Sequence, residues 1–197
     1  MDDQISEWIK LSLSGDDEAF AKIVEKYNKN VYNMCYRMLG TPQEAEDAAQ
    51  ESFWRAYQAL KRYDFKRSFI TWLLSIAAHY CIDLQRKKKF TSFSIDQLTE
   101  TNIASDAPSP ETLASQSEHE KYIQQLLNSM HPKDKAVLIL RYYHECSEKE
   151  IAESLSISVS AVKSRLHRAR KILAEKWKSE QEIAHYHERK RNESSAI

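Results

Sequence analysis

Glycine is almost missing from this chain. Only Gly15 and Gly40 occur in 197 residues, beside four prolines. Hairpins and tight sheet turns draw on glycine's access to positive φ, so the scarcity predicts a mostly helical fold. It also excludes a glycine-rich phosphate loop and a dinucleotide fingerprint. Long apolar runs are lacking as well. A stretch such as Val137-Leu138-Ile139-Leu140 falls far short of the roughly 20 residues a membrane helix needs. The first ten residues, MDDQISEWIK, are acidic where a secretory signal would be basic and then apolar. Cysteine is sparse, with Cys35, Cys81 and Cys146 in no CxxC pair and odd in number. That pattern suits reduced, buried thiols in a cytoplasmic protein, in which the Asn192-Glu193-Ser194 sequon carries no meaning. No G-x-S-x-G motif is present. His144 with Cys146, and His185 with His187, lack further ligands at zinc-site spacing. The sequence therefore predicts neither an enzyme nor a metal protein.

Net charge is also absent, 29 basic residues against 29 acidic ones, but the balance hides segregation. Residues 1–89 carry 14 basic and 13 acidic side chains, and residues 119–197 carry 15 and 11. Between them, 90–118 holds no base and five acids, Asp96, Glu100, Asp106, Glu111 and Glu118, among Ser, Thr, Pro108 and Pro110. That composition reads as a linker. At 29 residues it could span at most roughly 100 Å.

Hydrophobic residues make up 42% of the chain, and they recur at helical steps. Phe20, Ile23, Val24, Tyr27, Val31, Met34, Cys35 and Met38 form one stripe, which Gly40 ends. Thr41, Pro42 and Glu44 read as a capping box opening a second helix. On its wheel Glu44, Asp47, Glu51, Arg55 and Gln58 share a polar face, opposite Ala45, Ala49, Phe53, Ala56 and Leu60. A third helix starts near Ser68, with Phe69, Trp72, Leu73, Ile76, Ala77, Tyr80 and Leu84 as its stripe. It closes on Arg86-Lys87-Lys88-Lys89, which suits either the negative pole of a helix dipole or docking on nucleic acid. Farther on, Ile123, Leu126, Leu127 and Met130 form a stripe, and Pro132 starts a helix through Val137, Leu140 and Tyr143. The expected fold is all-α, with two small helical domains, 1–89 and 119–180, a flexible acidic linker at 90–118 and a charged, disordered tail at 181–197.

The segment SVSAVKSRLHRARKIL, Ser158 to Leu173, gathers five Lys or Arg, one His and no acid. At about 100° per residue, Leu166, Ala169 and Leu173 fall within about 40° of Val162. Ser160, Lys163, Ser164, His167, Arg168 and Lys171 occupy the opposite half, and Arg165 and Arg170 flank the seam. Just upstream, Ser147 caps SEKEIAESL with Glu150 three residues on, and a short turn follows. A capped helix, a turn and a basic amphipathic helix make a helix-turn-helix, whose second helix presents donors to base edges and phosphates. A solvated helix that happens to be basic is the plainer alternative.

Three stretches together resemble the extracytoplasmic-function (ECF) group of bacterial sigma factors. CYRMLGTPQEAEDAAQESFWRAY is similar to the group's polymerase-binding segment and FITWLLSIAAHYCIDLQRKKK to the segment engaging the −10 promoter element. KDKAVLILRYYHECSEKEIAESLSISVSAVKSRLHRARKIL is similar to its −35-binding domain. The resemblance implies core RNA polymerase as partner, through its β′ coiled coil and β flap, and promoter DNA. It implies no cofactor and no catalytic residue. For the core contact it points to Asp47, Gln50 and Glu51, with Glu44 and Arg55 beside them; an ordinary acidic solvated face is the alternative. For the −10 element it points to Lys61, Arg62, Lys66, Arg67, Trp72, His79, Arg86 and Lys87, with Trp72 divided between core and base contact. Ala78-His79 stands where the group often has Arg-Asn, which leaves the −10 base preference open. For the −35 element it points to Lys163, Ser164, His167 and Arg168 as base readers and to Arg165, Arg170 and Lys171, with Ser160, around them. The acidic linker either threads a positively lined polymerase channel or serves as a plain tether. The resemblance further implies an inhibitory anti-sigma partner and use in a stress response, with no direct insertion into a membrane. A helix-turn-helix regulator outside the polymerase is the rival, but a response regulator needs a strand-and-helix phosphoacceptor domain that residues 1–89 do not offer.

Overall fold

The computed structural model describes residues 3–96 and 118–194, with side chains described for 3–88 and 120–178. Every regular element among the described residues is helical. The front lobe comprises α1 (Asp3–Leu13), α2 (Asp17–Leu39), α3 (Pro42–Ala59), a 3₁₀ turn at Leu60–Arg62 and α4 (Phe69–Asp96). The rear lobe comprises α5 (Glu118–Asn128), α6 (Pro132–Tyr142), α7 (Glu148–Ser154) and α8 (Val159–Ser194).

Helix ends follow local chemistry. Asp16 caps α2 by accepting from the Ala19 amide at 3.1 Å. Gly40 closes the same helix at φ +94°, with its N–H on the Tyr36 carbonyl, as a left-handed C-cap requires. At α7 the expected capping box is present: Glu150 N–H donates to Ser147 Oγ, and Ser147 N–H donates to Glu150 Oε2. The one expected at Thr41 is not. Thr41 makes no side-chain cap bond, and the Glu44 carboxylate that would complete the box pairs with Lys88 of α4 instead.

Two helices run beyond their expected ends. The backbone of α4 is helical to Asp96, so Arg86–Lys89 lies inside the helix and the dipole reading of that run does not hold. Likewise α8 is helical to Ser194, where the sequence suggested an irregular tail. The reason is shared: neither stretch contains Gly or Pro, and an existing helix extends at little cost where no breaker intervenes. Of the expected linker, 90–96 and Glu118 are helical, and 97–117 lies outside the described residues. The first helical stripe read from sequence starts at Phe20; within the expected domain the structure adds α1, which buries Ile5 and Ile9 against the lobe.

The two lobes share one hydrophobic cluster. Met38, Phe53, Leu73 and Ala77 from the front join Leu127, Val137, Leu140 and Ile151 from the rear. Polar contacts reinforce the join at the end of α2, whose last carbonyls have no partner inside the helix. Lys135 of α6, 2% exposed, donates to the Met38 carbonyl at 2.9 Å and to Asn128 Oδ1 at 3.1 Å. Gln124 of α5 donates to the Arg37 carbonyl at 3.2 Å. The Arg37 guanidinium sits 3.6 Å over the Tyr143 ring. The two expected helical units are thus present and docked on each other.

Candidate polymerase and promoter interfaces

On α3 the wheel is realised. Ala45, Ala49, Phe53, Ala56 and Leu60 are buried, while Asp47, Gln50 and Arg55 are exposed and Glu51 is half-buried. Arg55 donates through Nε to Glu51 at 2.7 Å and stacks 4.4 Å over Tyr80, so this face is held in a fixed arrangement. Glu44 at its start is tied to Lys88. Beside the polar face runs a groove of about 930 Å³ between α2 and α3, lined by Phe20, Val24, Phe53, Trp54 and Tyr57. Trp54 is 56% exposed, an uncommon position for the largest apolar side chain. Gln50 belongs to both the groove and the polar face. The reading from sequence passed over Trp54, although an indole between Gln50 and Gln58 on the outer side of the wheel is itself a signal.

The second set gathers around the start of α4. Lys61 and Arg62 are exposed on the 3₁₀ turn, and Lys66 and Arg67 are exposed on the loop before α4. Trp72 is half-buried, packed 5.2 Å from Tyr63 and 5.4 Å from Phe69 between ring centroids. Its remaining surface lines a cleft with Lys66, Arg67 and His79, so it serves the core and still offers an edge. His79 donates through Nδ1 to the Ser75 carbonyl at 2.8 Å, which fixes the exposed ring. Arg86 is exposed and pairs with Asp83 at 3.2 Å, and Lys87 follows it on the exposed face. The opposite wall of the cleft belongs to the rear lobe: Glu150, Glu153, Ser154 and Ser156. Arg67 donates to Glu153 at 3.0 Å across it. In this conformation the helix-turn-helix walls one side of that cleft while the basic side chains of the front lobe stay exposed.

The third set lies on α8. Val162, Leu166 and Ala169 are buried as the seam requires. The turn before it is tight, with Ser156 at φ +52° and the Ile157 amide on the Ala152 carbonyl at 2.9 Å. Ser160, Lys163, Ser164, His167, Arg168, Arg170 and Lys171 all face outward. Lys163 lies 3.8 Å from Glu148, and Lys171 lies 3.8 Å from Glu175. Arg170 donates through Nε to the Tyr142 hydroxyl at 2.9 Å. Arg165 is the exception, only 20% exposed at its side chain. It and Arg168 converge on Asp134 of α6, a buried carboxylate that the reading from sequence did not single out.

Burial by itself would raise the Asp134 pKa, but hydrogen bonds and charge from Arg168 and Arg165 outweigh it and hold the carboxyl below its ordinary range. Two basic surfaces and one polar, partly acidic surface therefore sit on the two lobes of one chain. Among the described residues no group of three or more His, Cys, Asp or Glu is placed to hold a metal ion. Cys35, Cys81 and Cys146 are free thiols and buried.

Comparison with known proteins agrees with this arrangement. The family Sigma-70 region 2 matches residues 23–91, which hold the first two surfaces. The family Sigma-70 region 4 matches residues 120–173, which hold the third. The chain is 40% identical over 180 residues to the ECF RNA polymerase sigma factor SigW of Bacillus subtilis, covering 88% of this chain and 96% of that one. It is 31% identical to SigX of the same organism over 161 residues, covering 80% and 82%. Among solved structures it is similar to CnrH in complex with the cytosolic domain of CnrY (TM-score 0.65, 20% identity, 89% of this chain and 98% of that one). It is also similar to the sigma factor RpoE in complex with the anti-sigma factor NepR from Bartonella quintana (TM-score 0.63, 18% identity, 81% and 96%). On the identity and coverage shared with SigW, and with both regions matched in order, this chain belongs to the ECF family of RNA polymerase sigma factors.

Proposed function

We propose that the protein binds core RNA polymerase through the front lobe and directs it to promoters by reading two DNA elements, one per lobe. It carries out no covalent chemistry itself; the polymerase does. The observation that supports this best is the coexistence of the fixed Glu51–Arg55 face on α3 with the outward basic face of α8, on separate lobes of one chain.

Asp47, Gln50 and Glu51 meet the β′ coiled coil, with Glu44 and Arg55 holding the rim. The Trp54 groove lies against the same partner, where an exposed indole supplies apolar contact area beside the charged pairs. Lys61, Arg62, Lys66 and Arg67 contact phosphates of the melted −10 strand. Trp72 and His79 offer ring surface to unstacked bases, and Arg86 and Lys87 extend the path along α4. On α8, Lys163, Ser164, His167 and Arg168 read the −35 element. Arg170, Lys171 and Ser160 contact its backbone, and Arg165 supports the helix from within.

Two DNA elements one to two helical turns apart, each turn about 34 Å, are not both gripped while α7 walls the basic cleft and Glu153 holds Arg67. The lobes therefore part on engagement, and Glu153 gives up Arg67 to phosphate. The solved relatives named above are bound to CnrY and to the anti-sigma factor NepR. By the same logic this protein is held inactive by an anti-sigma partner, in a stress response, and works in the cytoplasm.

The test is initiation by purified core polymerase on a promoter library, with and without the full chain. Addition of the wild-type protein is expected to produce transcripts from a defined promoter class. The Asp47→Ala/Glu51→Ala variant is expected to lose core binding and those transcripts together. A folded wild-type protein that adds no initiation would reject the reading.

A further inference from the structure

The contact of Asp134 with α8 bears on how promoter sequence is discriminated. Asp134 is the third residue of α6, where an acid is ordinarily explained by the helix dipole. A carboxylate serving only the dipole would stay in water. This one is 4% exposed and accepts three hydrogen bonds from the recognition helix. Arg168 Nε donates to Oδ2 at 2.9 Å, Arg168 Nη2 to Oδ1 at 3.0 Å, and Arg165 Nη1 to Oδ1 at 2.8 Å. Arg168 is gripped side-on by two of its nitrogens, yet its side chain remains 53% exposed. One edge of the guanidinium is committed to the protein, and the rest projects from the outer face of α8.

A long arginine side chain normally searches many rotamers, and fixing it on DNA costs conformational entropy. A guanidinium already locked by a carboxylate has that cost removed and offers its remaining donors in one direction only. Stability is a poor explanation for the arrangement. Burying an ion pair costs desolvation that apolar packing would avoid, so such pairs are weak evidence of stabilisation. Arg165 takes the second lone pair of Oδ1 and keeps the carboxylate from swinging away with Arg168.

We infer that Asp134 is a positioning residue for −35 readout: through its buried carboxylate it aims Arg168 at one base pair, and it sets sequence discrimination without touching DNA. This rests on the reading of α8 as the −35 helix. Asp134 also places a negative charge close to the DNA-facing surface, which opposes binding to arbitrary duplex. Its loss should therefore lower discrimination while raising non-specific affinity, two changes of opposite sign that general destabilisation cannot produce.

The experiment uses holoenzyme assembled from the full chain and core polymerase, on promoters substituted singly at each −35 base pair. Salt dependence on unrelated duplex is measured alongside. Asp134→Asn is expected to reduce the preference at one base pair by about tenfold, the size of a good arginine–base contact. It is also expected to bind unrelated duplex more tightly, with a steeper salt slope. In an Arg168→Ala background the same substitution should change discrimination no further. Should Asp134→Asn melt the rear lobe, Asp134→Glu keeps the charge and displaces the carboxylate by one methylene. That variant should still lose discrimination at the same base pair, with wild-type affinity for unrelated duplex. If the wild type itself ignores every −35 substitution, the reading of α8 fails. If the wild type discriminates and folded Asp134→Asn or Asp134→Glu discriminates equally well, the positioning role is refuted while the reading of α8 stands. An equal loss on every sequence, additive with Arg168→Ala, would make Asp134 merely structural.

Discussion

Lys135 and His144 show at the residue scale what lobe docking demands. Burial lowers the Lys135 pKa from 10.5 to about 8, offset in part by Cys81. A lysine on an undocked, hydrated α6 keeps the ordinary value, so between pH 8 and 10.5 the undocked state holds the extra proton. Stability of the docked state then rises with pH across that window. Thermal unfolding of the wild type is expected to show this slope, and Lys135→Met should flatten it. His144 behaves likewise on the acid side. Burial and the Arg37 charge lower its pKa from 6.5 to about 4, and its Nε2 is buried without a partner. The unfolded chain takes up a proton first, so stability should fall as pH drops from 6.5 towards 4. In His144→Gln the urea midpoint should lose this part of its acid dependence. Neither shift was legible beforehand, since Met38 and Cys81 beside Lys135 and Arg37 beside His144 come from the other lobe. The outward residues of α8 were legible from the wheel, but Arg168's partner was not: 34 positions separate Asp134 from Arg168, and no periodicity spans that gap.

At the scale of the element, caps and breakers decided what could be read. The capping box of α7 was plain in its S-x-x-E spacing and is present in the fold. Ser147→Ala is expected to destabilise the rear lobe by about 1 kcal/mol, measured by chemical denaturation, with core polymerase binding by α3 unchanged. The same spacing at Thr41 is not realised: Thr41 makes no side-chain cap bond, and Lys88 offers the Glu44 carboxylate a partner that local pattern cannot reveal. Gly40 has two tasks, only one of them visible in sequence. Its positive φ ends α2, and a Cβ there would also lie 3.0 Å from Asn128 Nδ2 in the rear lobe. Gly40→Ala therefore strains both the helix end and the docking, and it should lower the melting temperature more than Ser147→Ala. Helix starts were easier to locate than helix ends: α4 and α8 overrun their expected limits because charged residues do not stop a helix.

For the whole molecule, segregated charge and apolar stripes were enough to indicate two helical lobes and an outward basic face on α8, whereas a polymerase-facing surface was only implied by the family resemblance. Their docking was not indicated, because it rests on carbonyls at the end of α2, on a buried lysine and on apolar residues that each lobe's own stripe already explained. The docked form pairs Arg67 with Glu153 and walls the basic cleft with α7, so on the proposed function free and engaged protein differ in lobe separation. The most direct measurement is the distance between labels at Lys10 and Lys149, both exposed and on opposite lobes. It would be followed in the free chain, after addition of core polymerase, and after addition of promoter DNA. The account predicts a short, narrow distribution in the free chain and an increase of roughly 30 Å or more on the promoter complex, matching elements one to two helical turns apart. An unchanged distance in an initiation-competent complex would contradict it.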